Sequence, residues 1–481
     1  MEKILARVTI IIDQFRTSDQ IQKTIFFIGS FLICLALYWK TLVGLPIWDD
    51  INLWFNDPTL TTASTDFYWF LKYNWPLTAL YQKLTFSLWG YQFQNYHILS
   101  LFFHMINSLL VYNISVELQW PKPRWIFLLF LFHPASVIAV SWMIQIKTIL
   151  CFLFAALSFL CFLKGLVQKK WFVLSIVFFS ISLCTKSASI PLLFILFILT
   201  LKKTKKPLLF IWLLPFLAIG AIGAFRLLNS PVTQEGMLMA MTTTSKSETA
   251  TEIQGDKLLT KNINMPLFSG LLITKTLSYY VVQTTLPLSI YPVKGRFDNK
   301  MDLSNWFRLL ALVFALFFIW KYGLMGIFFG GCLLLSPFLG IIPAPYMSSS
   351  WVSDQHLYLA LPVFLALLIS FIDKIKTNLK SSALVLFLLF FIYQSSVATE
   401  FYKDEMTFFQ TSLQGDPTNV TIANNLAVSY IRNNELTQAQ QIIKNFLEQN
   451  KGSEKMVNDP YYPVLLELQQ ALESKSKVDN K

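Results

Sequence analysis

The chain has 481 residues, of which 54% are hydrophobic, 16% aromatic and 14% charged, and 39 Lys+Arg against 27 Asp+Glu give a formal charge of +12. Soluble domains carry about 25% charged residues, so this composition excludes a soluble enzyme, a DNA-binding factor and a disordered scaffold. A basic excess in so apolar a chain belongs to short cytoplasmic loops and implies no nucleic acid partner.

In chain order, residues 1–23 read as a cytoplasmic segment carrying Lys3, Arg7, Arg16 and Lys23. The run 24–40 follows as a membrane anchor, with no small-residue cleavage site behind it. Apolar runs approaching span length recur near 96–115, 126–143, 148–165, 171–185, 188–201, 207–226, 304–320, 323–342, 356–372 and 382–397. The run 266–290, with Pro287 inside it and Pro292 after it, reads as re-entrant or interfacial. Short basic loops stay cytoplasmic. Lys164, Lys169 and Lys170, then Lys202, Lys203, Lys205 and Lys206, then Lys374, Lys376 and Lys380 mark that side. The expectation is an all-α polytopic membrane protein of about eleven transmembrane helices, N-terminus cytoplasmic and C-terminus extracytoplasmic. All five cysteines lie in apolar runs, so no extracytoplasmic disulfide framework is implied.

The membrane domain spans 24–397. Its first extracytoplasmic loop, 41–95, is rich in aromatic residues, with twelve from Phe67 to Tyr96 just beyond its end, a composition suited to short helices in the headgroup layer. A second large outer region, 227–303, contains the polar stretch 229–264, which reads as a mobile loop. Residues 398–481 read as a helical domain. There Leu426, Ala427, Tyr430, Ala439, Ile443 and Phe446 take the packing positions of a tetratricopeptide (TPR) repeat around a turn at Asn433-Asn434.

Polar residues in expensive places are the candidate site. Asp49 and Asp50 adjoin the first span, where two adjacent carboxylates suit a general base or a ligand for a divalent cation; solvated loop carboxylates are the plainer alternative. His97, Ser100, His104 and Asn107 share one face of the second span. A polar stripe in lipid should face protein or water, there to bind phosphate, move protons or bond a neighbouring helix. His133 precedes Pro134 within the third span, and Lys186 sits at an outer turn where a phosphate or carboxylate would answer its charge. Asp354, His356 and Tyr358 open the tenth run; Asp354 and His356 suit a metal or substrate contact, although Asp354 also suits a helix cap.

The series Trp48-Asp49-Asp50, Asn56-Asp57-Pro58, Trp89-Gly90, Tyr96-His97, His104 to Asn107, His133-Pro134, Lys186, Leu286-Pro287-Leu288 and Leu357-Tyr358-Leu359 resembles the TMTC-like membrane glycosyltransferases in order and spacing. The resemblance implies a GT-C fold with a C-terminal TPR-like region. It also implies a polyprenyl-phosphate-linked sugar donor, and a protein hydroxyl or glycan as acceptor on the extracytoplasmic face. Asp49 and Asp50 would be catalytic base or metal ligands, with a divalent cation as an optional cofactor; His97, His104, His133, Lys186, His356 and Tyr358 would hold substrate or its phosphate. The chain departs from the family pattern at Trp75, Ile138, Ile146, Thr148, Ser187 and Gln355, where charged residues are usual. Two readings therefore stand: an active polyprenyl-phosphate-dependent glycosyltransferase, O-mannosyltransferase-like, or a catalytically silent GT-C scaffold or assembly factor that binds lipid or a protein partner through 398–481. Short Lys-rich loops fit a bacterial inner membrane.

Overall fold

A computed structural model of the chain describes residues 2–61, 73–203, 207–229, 270–295, 303–341, 345–348, 350–374, 379–457, 459 and 461–479. Among these every regular element is helical. That outcome follows from the apolar composition, because a helix satisfies its backbone hydrogen bonds internally and so tolerates lipid. Among the described residues five helices are long and apolar enough to cross a membrane: Gln20–Leu37, Phe93–Glu117, Met143–Gly165, Phe210–Leu228 and Lys380–Glu400. A sixth is formed if Pro123–Leu131 and Pro134–Ser141, bent by 53° relative to each other, count as one span. Lys170–Thr185, Ser187–Lys202 and Met325–Phe338 are apolar but shorter. The chain is an all-helical membrane protein.

Two expected boundaries differ. The helix Glu2–Leu37 runs without a break, so residues 2–23 and the first span share one backbone element. The tenth apolar run is divided into Asp354–Leu357 and Leu361–Lys374, where Pro362 in the first turn of the second helix has no N–H to continue the helical hydrogen bonding from the preceding turn. Most of the polar stretch 229–264 and the aromatic residues 67–70 lie outside the described residues.

Packing within the bundle uses small residues where helices approach closely. In the hairpin of Ile146–Gly165 and Lys170–Thr185, Ser158 donates to the Ser175 carbonyl at 2.8 Å and Ser175 returns a bond to the Ser158 carbonyl at 2.7 Å. A Cβ on Gly165 would lie 2.7 Å from the Phe172 ring, so only glycine fits that crossing. Outward faces are apolar. On Pro76–Trp89, Leu80, Leu84 and Leu88 are exposed while Thr78, Gln82 and Thr85 are buried, the reverse of a water-facing helix and the arrangement that lipid contact requires.

The bend at His133 is stabilised residue by residue. Pro134 lacks an N–H and frees carbonyls of the preceding turn. The Leu131 carbonyl faces His104 Nε2 at 3.2 Å, and the Phe132 carbonyl accepts from Ser395 at 2.9 Å. Beyond the bundle come Glu405–Gly415, Val420–Arg432, Leu436–Gln449 and Tyr462–Asp479. Asp404 and Asn419 cap two of them by accepting from Thr407 N and Ile422 N. Leu426, Ala427, Tyr430, Ala439, Ile443 and Phe446 are all buried in this domain, and Asn434 makes the turn with a left-handed φ of 61°, which asparagine tolerates.

Candidate functional site

The site is assembled where helices end. Trp48 adopts φ 44°, a left-handed conformation costing about 1–2 kcal/mol in a non-glycine residue. Aromatic packing holds it there: its ring stacks on Trp142 with centroids 6.0 Å apart and lies 5.6 Å from Phe409 and 6.2 Å from Phe408. The C-terminal domain thus rests directly on the segment that presents the two aspartates.

Asp49 and Asp50 are adjacent but differently engaged. Asp50 is buried, and its two oxygens accept the backbone N–H groups of Ile47 at 3.0 Å and Ile144 at 2.6 Å. Trp142 Nε1 completes the staple by donating to the Ile47 carbonyl at 3.2 Å. Burial pushes the Asp50 carboxyl up to about 8, against the opposing pull of those two N–H groups; Asp49 adds to the rise and Lys147 resists it. Asp49 is half-buried. Burial raises it too, and the Lys147 ammonium draws it back. The side chain of Asp50 is committed to structure, whereas that of Asp49 faces a cation.

That cation is the residue that sequence reasoning passed over. Lys147 stands in the first turn of Ile146–Gly165, between the two positions, Ile146 and Thr148, where the resemblance looks for charge. Its Nζ lies 5.1 Å above the Trp75 ring, a cation–π contact, and its charge acts on Asp49, Asp50, Lys186 and His356. A lone lysine at the mouth of an apolar helix was the available signal.

Lys186 leaves the end of Lys170–Thr185 with an extended φ of −165°. Its Nζ donates to Thr148 Oγ1 at 2.8 Å and sits 5.7 Å from the Phe338 ring centroid. At this turn between helices, burial pushes Lys186 down to about 7; Lys147 adds to the fall and Cys151 opposes it. Phe338 in turn stacks on His356 at 4.1 Å and 3°. Lys147 thus acts electrostatically on Asp49, Lys186 and His356 alike, and Lys186 bonds Thr148, the chain neighbour of Lys147.

The other expected residues lie apart from that end. His104 faces Tyr358 Oη with Nδ1 at 2.8 Å and the Leu131 carbonyl with Nε2 at 3.2 Å. Asn107 donates to Tyr358 Oη at 3.2 Å and to the Ile149 carbonyl at 3.0 Å. His133 accepts from Ala135 N and faces the Thr284 carbonyl at 3.1 Å. Both histidines spend both ring nitrogens inside the protein, so the expected phosphate contact from His104 and His133 gives way to structural bonding, and Tyr358 serves the same network. His97 is buried below Gly44, where an added Cβ would fall 3.4 Å from its Nε2 and 2.9 Å from the Thr41 carbonyl.

Asp354 does not cap its helix. It accepts from Tyr279 Oη at 2.7 Å and from Gln283 Nε2 at 3.0 Å, and it pairs with Lys294 at 3.4 Å. This buried clasp ties Gly270–Thr285 to the segment opening at Ser353. Two more basic residues are held elsewhere: Arg226 donates to the Tyr73 carbonyl at 3.3 Å, and Lys275 is buried.

A divalent cation fits this donor set poorly. Among the described residues no three His, Cys, Asp or Glu side chains gather, the oxygens of Asp50 already hold backbone N–H groups, and Lys147 brings positive charge to both aspartates. A hard cation needs about six oxygen ligands. The charges favour an anion instead, since Lys147 stands over Trp75 and Lys186 over Phe338 with no carboxylate ion-paired to either among the described residues. No family model, curated protein or solved structure matches the chain.

Proposed function

We propose that the protein is a GT-C-like membrane glycosyltransferase that moves a sugar from a polyprenyl-phosphate donor to a hydroxyl of a protein or glycan on the extracytoplasmic face. One observation carries the reading: Lys186 Nζ bonds Thr148, the chain neighbour of Lys147, and the Lys147 charge acts on both Lys186 and Asp49. Asp49 takes the proton of the acceptor hydroxyl as its oxygen attacks the anomeric carbon. The bond from that carbon to the phosphate oxygen breaks, its electron pair leaves with polyprenyl phosphate, and Lys147 and Lys186 stabilise the departing anion. Asp50 positions the loop and takes no part in the proton transfer.

In this reading the eleven apolar runs all span a bacterial inner membrane, with the N-terminus cytoplasmic. The segment Gly270–Thr285, whose buried Lys275, Thr276, Ser278 and Gln283 suit protein contact more than lipid, is re-entrant. The C-terminal TPR-like domain stands outside, where it can hold an acceptor.

A catalytically silent scaffold is the second reading. It is favoured by Ile138 and Ile146, which are plain buried core at positions where the resemblance looks for charge. Transfer of radiolabelled sugar from polyprenyl phosphate by purified protein, beside Asp49→Asn and Lys186→Ala, separates the two. Transfer abolished by Asp49→Asn supports the enzyme. Donor binding without turnover, indifferent to Asp49→Asn, supports the scaffold.

A further inference from the structure

Beside Lys186 the structure gathers aromatic rings that proton transfer and phosphate binding do not use. Phe338 lies against the lysine, His356 stacks on Phe338, and the Tyr346 ring meets His356 at 4.4 Å and 54°. The hydroxyls around them are engaged. Tyr280 Oη accepts from Ser353 N at 3.2 Å and faces His356 Nδ1 at 3.3 Å, while Tyr279 donates to Asp354. The Tyr346 hydroxyl is different: it is withdrawn from solvent and has no hydrogen-bond partner among the described residues.

Folded proteins leave few buried polar groups unpaired, and those that remain call for an explanation. A trapped water needs about 2–4 polar partners, whereas the described ring contacts of Tyr346 are Phe338 and His356. A ligand hydroxyl answers better, because a phenol and a sugar hydroxyl can each donate and accept. Tyr346 is linked to the lysine assigned to the donor phosphate through one shared ring, Phe338, which lies 5.7 Å from Lys186 and 6.4 Å from the Tyr346 ring.

We propose that the Tyr346 hydroxyl hydrogen-bonds a hydroxyl of the sugar on the lipid phosphate and so helps determine which sugar the site accepts. This rests on the glycosyltransferase reading. A site built to hydrogen-bond a hydroxyl rejects the analogue that lacks it far more strongly than an apolar pocket does.

The test measures binding of lipid probes to the full chain in nanodiscs. The probes are bare polyprenyl phosphate, a set of hexosyl polyprenyl phosphates, and deoxy analogues of the best of them. Wild type should lose about 10-fold affinity for one deoxy analogue. Tyr346→Phe, which keeps the ring stack on His356, should bind bare polyprenyl phosphate as wild type does yet no longer distinguish that analogue from its parent. Equal sugar discrimination by the variant and wild type overturns the proposal. So does a wild type indifferent to removal of each sugar hydroxyl, a measurement that needs no variant to fold. If wild type binds no polyprenyl phosphate at all, the glycosyltransferase reading fails first and the assignment of Tyr346 falls with it.

Discussion

Two buried polar clusters in this protein contain similar side chains and use them in opposite ways. Around His104, the two ring nitrogens, the Tyr358 hydroxyl and the Asn107 amide nitrogen all have protein partners. Around Asp49, a half-buried carboxylate, the Lys147 ammonium acts on the carboxylate and on a second lysine through charge, while its own contact is the Trp75 ring and that lysine bonds Thr148. A buried group with its bonds complete holds a helix in place; a charge whose partner is only nearby can still exchange that interaction for a ligand. The two clusters therefore differ in what their charged and ring groups are bonded to, which residue type alone does not show.

The sharpest break of this comparison comes from Asp49. Removing a general base costs about 100-fold to 10,000-fold in rate, so Asp49→Asn should abolish sugar transfer while leaving the thermal unfolding midpoint unchanged. Equal losses of activity and stability would return Asp49 to the structural class. Lys147→Ala and Lys186→Ala come next. Each removes a charge-assisted contact worth about 1.5–3 kcal/mol and should weaken binding of polyprenyl phosphate at least about 10-fold, read by equilibrium binding in nanodiscs.

The histidine cluster should respond in the opposite sense. His104→Ala leaves the Leu131 carbonyl without its side-chain partner and the Tyr358 hydroxyl with Asn107 alone, at a cost of about 1–3 kcal/mol. The expected result is a lower unfolding midpoint, with transfer per folded molecule preserved at a permissive temperature. Transfer lost without a stability change would place His104 in the chemistry.

Dependence on pH is the smallest and most discriminating effect. Asp49 must be ionised to accept a proton, so transfer rises as pH passes its raised value. Lys186, pushed down to about 7, must be charged to hold the phosphate, so binding weakens as pH climbs above that point. A bell-shaped rate profile is the expected sum. Stability carries a separate signature from Asp50. The unfolded chain ionises it near 3.9 and the folded chain at about 8. The unfolded state therefore loses the proton first, and stability falls between those values as pH rises. Asp50→Asn should flatten that slope in chemical denaturation measured across the window.

Much of the architecture was legible before any tertiary contact was considered. Long apolar runs must become helices in lipid, because no other local structure satisfies the backbone there. The stripe of His97, Ser100, His104 and Asn107 announced a face turned toward protein, and all four are buried. Pro134 likewise announced a disrupted helix. The packing positions of 398–481 could be read from Ala427 and Ala439 because close helix approach leaves room only for small side chains.

What remained illegible was the role of each polar residue. Nothing local distinguishes Asp49 from Asp50; the distinction arises because Asp50 reaches the N–H of Ile144, 94 positions away, at a helix break. Lys147 looked like an incidental charge until Trp75 and the first loop folded over it, and Asp354 looked like a cap until Lys294 and Tyr279 arrived from another segment. The sequence by itself determined an all-helical membrane protein, its apolar segments and the inward turn of its polar stripe, since these follow from local periodicity and the cost of exposing polar groups to lipid. Only the tertiary structure decided which of those polar groups are spent and which stand ready, because a hydrogen bond between distant segments is set by how helices pack.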